Sequence, residues 1–133
     1  MLHKEKTQSI IGAFFDVYNK LGNGFLEKVY ENALAHELRK RGHKVQQQAT
    51  IDVYYDEQLV GKFFADLLVD DCIIVELKAV EELHPRHEAQ LLNYLKATNV
   101  EVGLLLNFGP KAVFKRKVFT KSYKNPKNPR KSA

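Results

Sequence analysis

The hydrophobic pattern changes period between Arg41 and Val45, so the chain must fold with helices and strands in one layered domain. Upstream, Ile10, Ile11, Phe14, Val17, Tyr18 and Leu21 recur at helical spacing. They predict a helix over Thr7–Lys20, with Thr7 able to cap its start. Gly22-Asn23-Gly24 breaks that helix, and a second follows from about Leu26 to Arg41. Its apolar stripe is Leu26, Val29, Tyr30, Ala33, Leu34 and Leu38, and Gly42 supplies its stop. Downstream the period is two. Val45–Tyr55 and Leu59–Val69 read as strands joined by a turn at Asp56-Glu57-Gln58, and Asp70-Asp71 turns the chain again. Cys72–Lys78 is mostly apolar and so reads as a central strand. Pro85 stands near the first turn of the next segment, which is helical over Glu88–Thr98. Val102–Asn107 is another apolar strand, closed by Gly109-Pro110, and Ala112–Thr120 reads as a last one. The order is α-α-β-β-β-α-β-β, an α/β domain with a mixed sheet. A length of 133 residues suits one such core. The expected domain is residues 1–120, followed by a basic, flexible tail at 121–133.

Three charges stand where a sheet interior should be apolar. Asp66 interrupts Phe63–Val69, and Glu76 and Lys78 interrupt Ile73–Ala79. Buried charges are costly unless paired or bound to a metal. Period two puts Glu76 and Lys78 on one face of their strand. Asp66 stands opposite Glu76 only if the connection is the three residues Asp70-Asp71-Cys72, with Val69 paired to Ile73. A two-residue loop would send Asp66 and Glu76 to different faces. In the required register, two hard carboxylates and an ammonium converge, a set suited to Mg²⁺ or Mn²⁺ and a phosphate. Taken alone, the same string fits a salt bridge at a sheet edge, the commoner reading of such a pattern.

Two further elements weigh on that choice. Glu27 lies in the first turn of the second helix, where an acid ordinarily answers the helix dipole but can also reach a metal. Gln90 and Tyr94 are one helical turn apart and face the same way, fit either for an amphipathic helix or for holding a phosphate backbone. His84 and His87 flank Pro85-Arg86 and read best as caps of the loop-to-helix entry.

Charge adds a weaker signal. Of 21 basic residues nine lie from Lys111 onward, with no acid among them, which leaves residues 1–110 at a net −4. Lys115, Arg116 and Lys117, flanked by Phe114 and Val118-Phe119, form a candidate phosphate-contacting strip. Lys124–Ala133, with Pro126 and Pro129, reads as a solvated tail. The lone Cys72 excludes an internal disulfide and a multi-cysteine zinc site, and its apolar neighbours suggest a buried thiol. No apolar run approaches membrane-spanning length and no signal peptide is visible, so a cytoplasmic protein is the default expectation.

Together these residues resemble the GxxExxY family of the PD-(D/E)XK nuclease superfamily. The motif stands here as Gly24, Glu27 and Tyr30, followed by Asp66, Glu76-Leu77-Lys78, Gln90 and Tyr94, and the strand end Leu104–Gly109. The likeness runs from about Gly12 to Arg116. It implies a restriction-endonuclease-like core with a divalent metal at Asp66 and Glu76, Glu27 as an auxiliary ligand and Lys78 as the catalytic lysine. Gln90 and Tyr94 match the QxxxY element of the RecB-like branch. Ala65 stands where the superfamily pattern has proline, which leaves the acid itself in place. The leading expectation is a Mg²⁺- or Mn²⁺-dependent nuclease acting on nucleic acid, with DNA preferred as substrate. A two-fold homodimer would suit cleavage of both strands. The alternatives are a nucleic-acid-binding accessory that cuts poorly alone and a protein-interaction module with structural carboxylates.

Overall fold

A computed structural model describes residues 1–120; the expected tail at 121–133 lies outside the described residues. Two helices, α1 (Lys4–Leu21) and α2 (Glu27–Lys40), precede three strands, β1 (Val45–Tyr55), β2 (Gln58–Val69) and β3 (Ile73–Lys78). Helix α3 (Pro85–Ala97) then leads to β4 (Val102–Phe108) and β5 (Ala112–Val118). The sheet order is β1-β2-β3-β4-β5, with β3 and β4 parallel and every other pair antiparallel. This is the expected mixed sheet, with the expected element order and a central β3.

Helices cover both faces. Ile10, Phe14, Val17, Leu34 and Leu38 of α1 and α2 pack with Leu67, Val69, Ile73, Val75, Leu104 and Leu106. On the other face Leu91, Tyr94 and Leu95 of α3 pack with Ile74, Leu105, Ile51 and Ala65. The approach of α3 is close. A Cβ on Gly103 would stand 2.7 Å from Leu91 Cδ1, so any larger residue would force the buried Leu91 side chain to shift.

Some boundaries move. Helix α1 starts a turn earlier than the Thr7 cap predicts, at Lys4 after His3 in the left-handed region (φ 54°). Thr7 is instead buried within the helix, its hydroxyl without a partner among the described residues. Glu88–Thr98 is likewise too short, because Pro85 sits at the first helical position, where its missing N–H costs nothing. His84 and His87 cap that start: Arg86 N donates to His84 Nδ1 and His84 N to His87 Nδ1. Leu26 and Val29, assigned to the core stripe of the second helix, are exposed, Leu26 by 82%. Helix α2 begins at Glu27 and buries Tyr30, Glu31, Leu34, Ala35 and Leu38; Leu26 is its N-cap and Val29 lies beside that buried face.

Candidate active site

The connection Asp70-Asp71-Cys72 has the required three residues, with Asp70 and Asp71 both at positive φ. Val69 pairs with Ile73, Leu68 with Ile74 and Leu67 with Val75. The next step would oppose Asp66 to Glu76, and there the backbone ladder stops. Asp66 N donates to Glu76 Oε2 at 2.8 Å, and Leu77 N donates to Asp66 Oδ2 at 2.8 Å. Side-chain oxygens thus replace carbonyls where β2 and β3 part.

Asp66 is also where β1 and β2 lose regularity. Their ladder passes from Gln47–Leu67 to Ala49–Ala65, and Gln48 between them has φ 53°. The faces exchange across this point. Val45, Leu67 and Val69 belong to the core under α1 and α2, whereas Ile51 and Ala65, of the same parity, belong to the core under α3. Asp66 therefore sits at a seam reached from both layers.

From α2 come Glu27 and Glu31, which with Lys28, Gln48, Asp66 and Leu77 line a cavity of about 300 Å³. The Gly24–Glu27–Tyr30 motif explains how α2 is held there. Gly24 has φ 113°, a conformation side chains rarely adopt. Tyr30 is fully buried, stacks on Phe108 (4.3 Å, 15°), donates to Gly22 O at 2.5 Å and accepts from Phe25 N at 3.2 Å. The tyrosine fixes the loop between α1 and α2, and with it the start of the helix that carries Glu27.

Glu31 escaped the sequence reading. It is 4% exposed and accepts from Lys28 (3.1 Å), Gln47 (2.8 Å) and Gln48 (2.8 Å), while Gln48 also reaches Asp66 Oδ1 at 3.4 Å. Its position four residues after Glu27 was the available signal. From the other layer comes Tyr94, buried against Phe63 at 5.9 Å. Burial, and then the charges of Glu76 and Asp66, push its hydroxyl above the ordinary range.

The electrostatics are those of crowded acids. Burial, followed by the Asp66 charge, raises Glu76 to about 8. Asp66 is raised by burial, against the Leu77 amide and Gln48. Glu27 is raised by burial, with Lys78 opposing and Asp66 adding to it. Lys78 forms no ion pair with these acids among the described residues, so the salt-bridge reading fails here. It ends β3 opposite Asn107, whose side chain clamps the Val80 backbone at 3.0 and 2.9 Å.

A divalent cation fits the donor chemistry of this seam. Asp66 and Glu76 each spend one oxygen on a backbone amide and keep a second hard oxygen, and their mutual repulsion is what a cation would relieve. Among the described residues no three acids, histidines or cysteines already stand as a ligand cage. Glu27, on an exposed first turn, would have to close on the pair.

The remaining predicted residues lie apart. Gln90 is exposed, one turn from Tyr94, beside a groove between α3 and the β1–β2 hairpin. Arg116 does not join a basic strip: it is on the α1 side of β5 and donates to Leu2 O at 2.8 Å. Lys117 is paired to Glu88 at 2.6 Å. Lys115 lines a separate cavity of about 410 Å³ with Glu81, Glu82 and Asn107. Cys72 is half-buried, and burial raises its thiol, which disfavours the reactive thiolate.

Comparisons with known proteins agree with the fold. No curated protein matches the chain. Among solved structures, the crystal structure of SSO0001 superposes with a TM-score of 0.55 at 17% identity, covering 68% of this chain and 50% of that one. An alkaline exonuclease (LHK-Exo) from Laribacter hongkongensis gives 0.53 at 14% identity, covering 72% and 57%. Both likenesses show a shared fold, and the chain spans only about half the length of each. A sequence model of the PD-(D/E)XK nuclease superfamily matches residues 4–118, nearly all that is described, and the chain therefore belongs to that superfamily.

Proposed function

We propose that this chain hydrolyses phosphodiester bonds of nucleic acid, with DNA as the preferred substrate and Mg²⁺ or Mn²⁺ as the metal. The observation that carries the reading is the meeting of Asp66 and Glu76 where β2 and β3 part, with Lys78 two residues on. Asp66 and Glu76 would hold the ion, and Glu27 would complete its set. A bound divalent ion supplies Lewis-acid polarisation of a phosphoryl oxygen and a more acidic water. Lys78 supplies a fixed positive charge beside the reacting phosphate, stabilising negative charge as it builds on the non-bridging oxygens. Tyr94 walls the α3 side of the seam. Burial, and then the charges of Glu76 and Asp66, raise its hydroxyl above the ordinary phenol range, so it remains a hydrogen-bond donor. An exonuclease of similar fold is consistent with the reading and lends it a reaction class.

The test is hydrolysis of labelled DNA and RNA by the full chain with Mg²⁺ or Mn²⁺, beside Asp66→Asn and Lys78→Ala. Both variants should fold and lose activity. Cleavage that survives in both would sink the reading. Salt-sensitive binding without cleavage, indifferent to Asp66→Asn, would replace it with the accessory function.

A further inference from the structure

The outer half of the β1–β2 hairpin carries apolar surface that its core does not use. Tyr54, Tyr55, Leu59, Val60, Phe63 and Phe64 are all exposed, Tyr54 by 61%. Between this arm and α3 runs a groove of about 750 Å³, lined by Val53, Tyr54 and Phe63 on one side and by Arg86, Gln90, Asn93, Tyr94 and Lys96 on the other. Its lining is aromatic, amide and cationic, with no acid. Arg86 is exposed, and Lys96 lies over the Phe119 ring at 5.9 Å. The inner end is Tyr94, which packs on Phe63 at 5.9 Å and shares a core cluster with Ala65, the residue beside Asp66 in β2, so the groove runs toward the carboxylate seam.

We infer that this groove takes a single-stranded stretch of nucleic acid, with unpaired bases stacked on Tyr54 and Phe63 and phosphates beside Arg86 and Lys96. Charge complementarity selects the occupant: a polyanion suits a lining with two cations and no acid. Aromatic rings recognise the face of a base, and in a duplex that face is covered by the neighbouring pairs. Gln90 and Asn93 offer amide donors and acceptors to base edges without demanding one sequence. The inference rests on nucleic acid being the substrate. It adds that the strand is delivered to the seam unpaired, from the α3 side, which restricts action to single strands, overhangs or frayed ends.

The experiment measures binding of the full chain in EDTA to fluorescent oligothymidylate and to a blunt duplex of the same length, by anisotropy. Tight single-strand binding is expected, and Tyr54→Ala should weaken it about tenfold while leaving the melting temperature unchanged. Tyr54→Phe should retain the affinity, and Arg86→Ala should weaken binding and flatten its salt dependence. Equal affinity for both probes, or no change in Tyr54→Ala and Arg86→Ala, would overturn the inference. So would Tyr54-dependent self-association in sedimentation, which would make the groove an interface between copies. The two readings fail separately. Duplex cleavage without a single-strand preference sinks only the groove, whereas Tyr54-dependent single-strand binding without hydrolysis sinks only the nuclease.

Discussion

Strand β2 is two different strands end to end. Its inner part, Ala65–Val69, keeps Ala65, Leu67 and Val69 buried, whereas Leu59, Val60, Phe63 and Phe64 of the outer part are equally apolar and exposed. The boundary is Asp66, where both flanking ladders lapse and the faces exchange. Apolar alternation therefore sets strand geometry along the whole of β2, while burial depends on how far the helices reach. Helices α1 and α2 cover the inner half alone, and the outer half leaves the body as an arm. Asp66, Glu76 and Lys78, the residues proposed to act on phosphate, occupy the joint between a packed platform and an unpacked arm.

That contrast can be broken at several points, the largest effect first. Lys78→Ala at the joint should lower nucleolytic turnover roughly 10²–10³-fold without loss of fold, read from cleavage kinetics and circular dichroism. Full turnover in that variant would remove the joint from catalysis. Leu67→Ala in the inner half should cost about 2–5 kcal/mol in denaturant unfolding. Val60→Ala in the outer half should stay within about 0.5 kcal/mol. Equal costs would show the arm packed in solution. Mn²⁺ or Mg²⁺ should raise the melting temperature, since a ligand that binds only the folded state stabilises it. Asp66→Asn should abolish that rise.

The smallest effect concerns the turn that sets the register. Asp70 accepts from Lys44 N at 2.9 Å and pairs with His43 Nδ1 at 2.7 Å. Burial raises its carboxyl, but His43 and the Lys44 amide outweigh that and hold it below the ordinary value. A depressed carboxyl stabilises the fold above its unfolded pKa, and this contribution is lost as pH falls through the depressed folded value. Asp70→Ala should therefore cost about 1–2 kcal/mol at neutral pH, and the difference should shrink only in acid below pH ~4. A difference that persists at pH ~2 would assign Asp70 a role other than its charge.

Much of the joint was readable beforehand because it depends on local rules. Three residues between Val69 and Ile73 imply the register, the register opposes Asp66 to Glu76, and period two adds Lys78. What escaped depends on contacts between distant segments. Glu31 shares a helix face with Glu27 by its spacing, but its burial depends on Gln47 and Gln48, which satisfy it across the gap from helix to strand. Arg116 looked free among basic neighbours, yet the carbonyl of Leu2 claims it. Leu26 and Val29 kept helical spacing, yet Leu26 is the N-cap and Val29 lies beside the face that buries Tyr30 and Glu31. Periodicity records which residues of a helix are apolar, not which of them the fold buries.

The three-residue turn at Asp70–Cys72 also bears on how the site comes into being. Closing so short a loop costs little chain entropy, and hairpins of this kind form within about 1–10 μs. Asp66 and Glu76 are thus opposed by a local hairpin, whereas β4 reaches β3 only through the crossover of α3. The low-dielectric surroundings that sharpen the repulsion between the two acids come from β4 and the helices packed over the strands, so the charge conflict at this site is set by long-range packing and not by the hairpin itself.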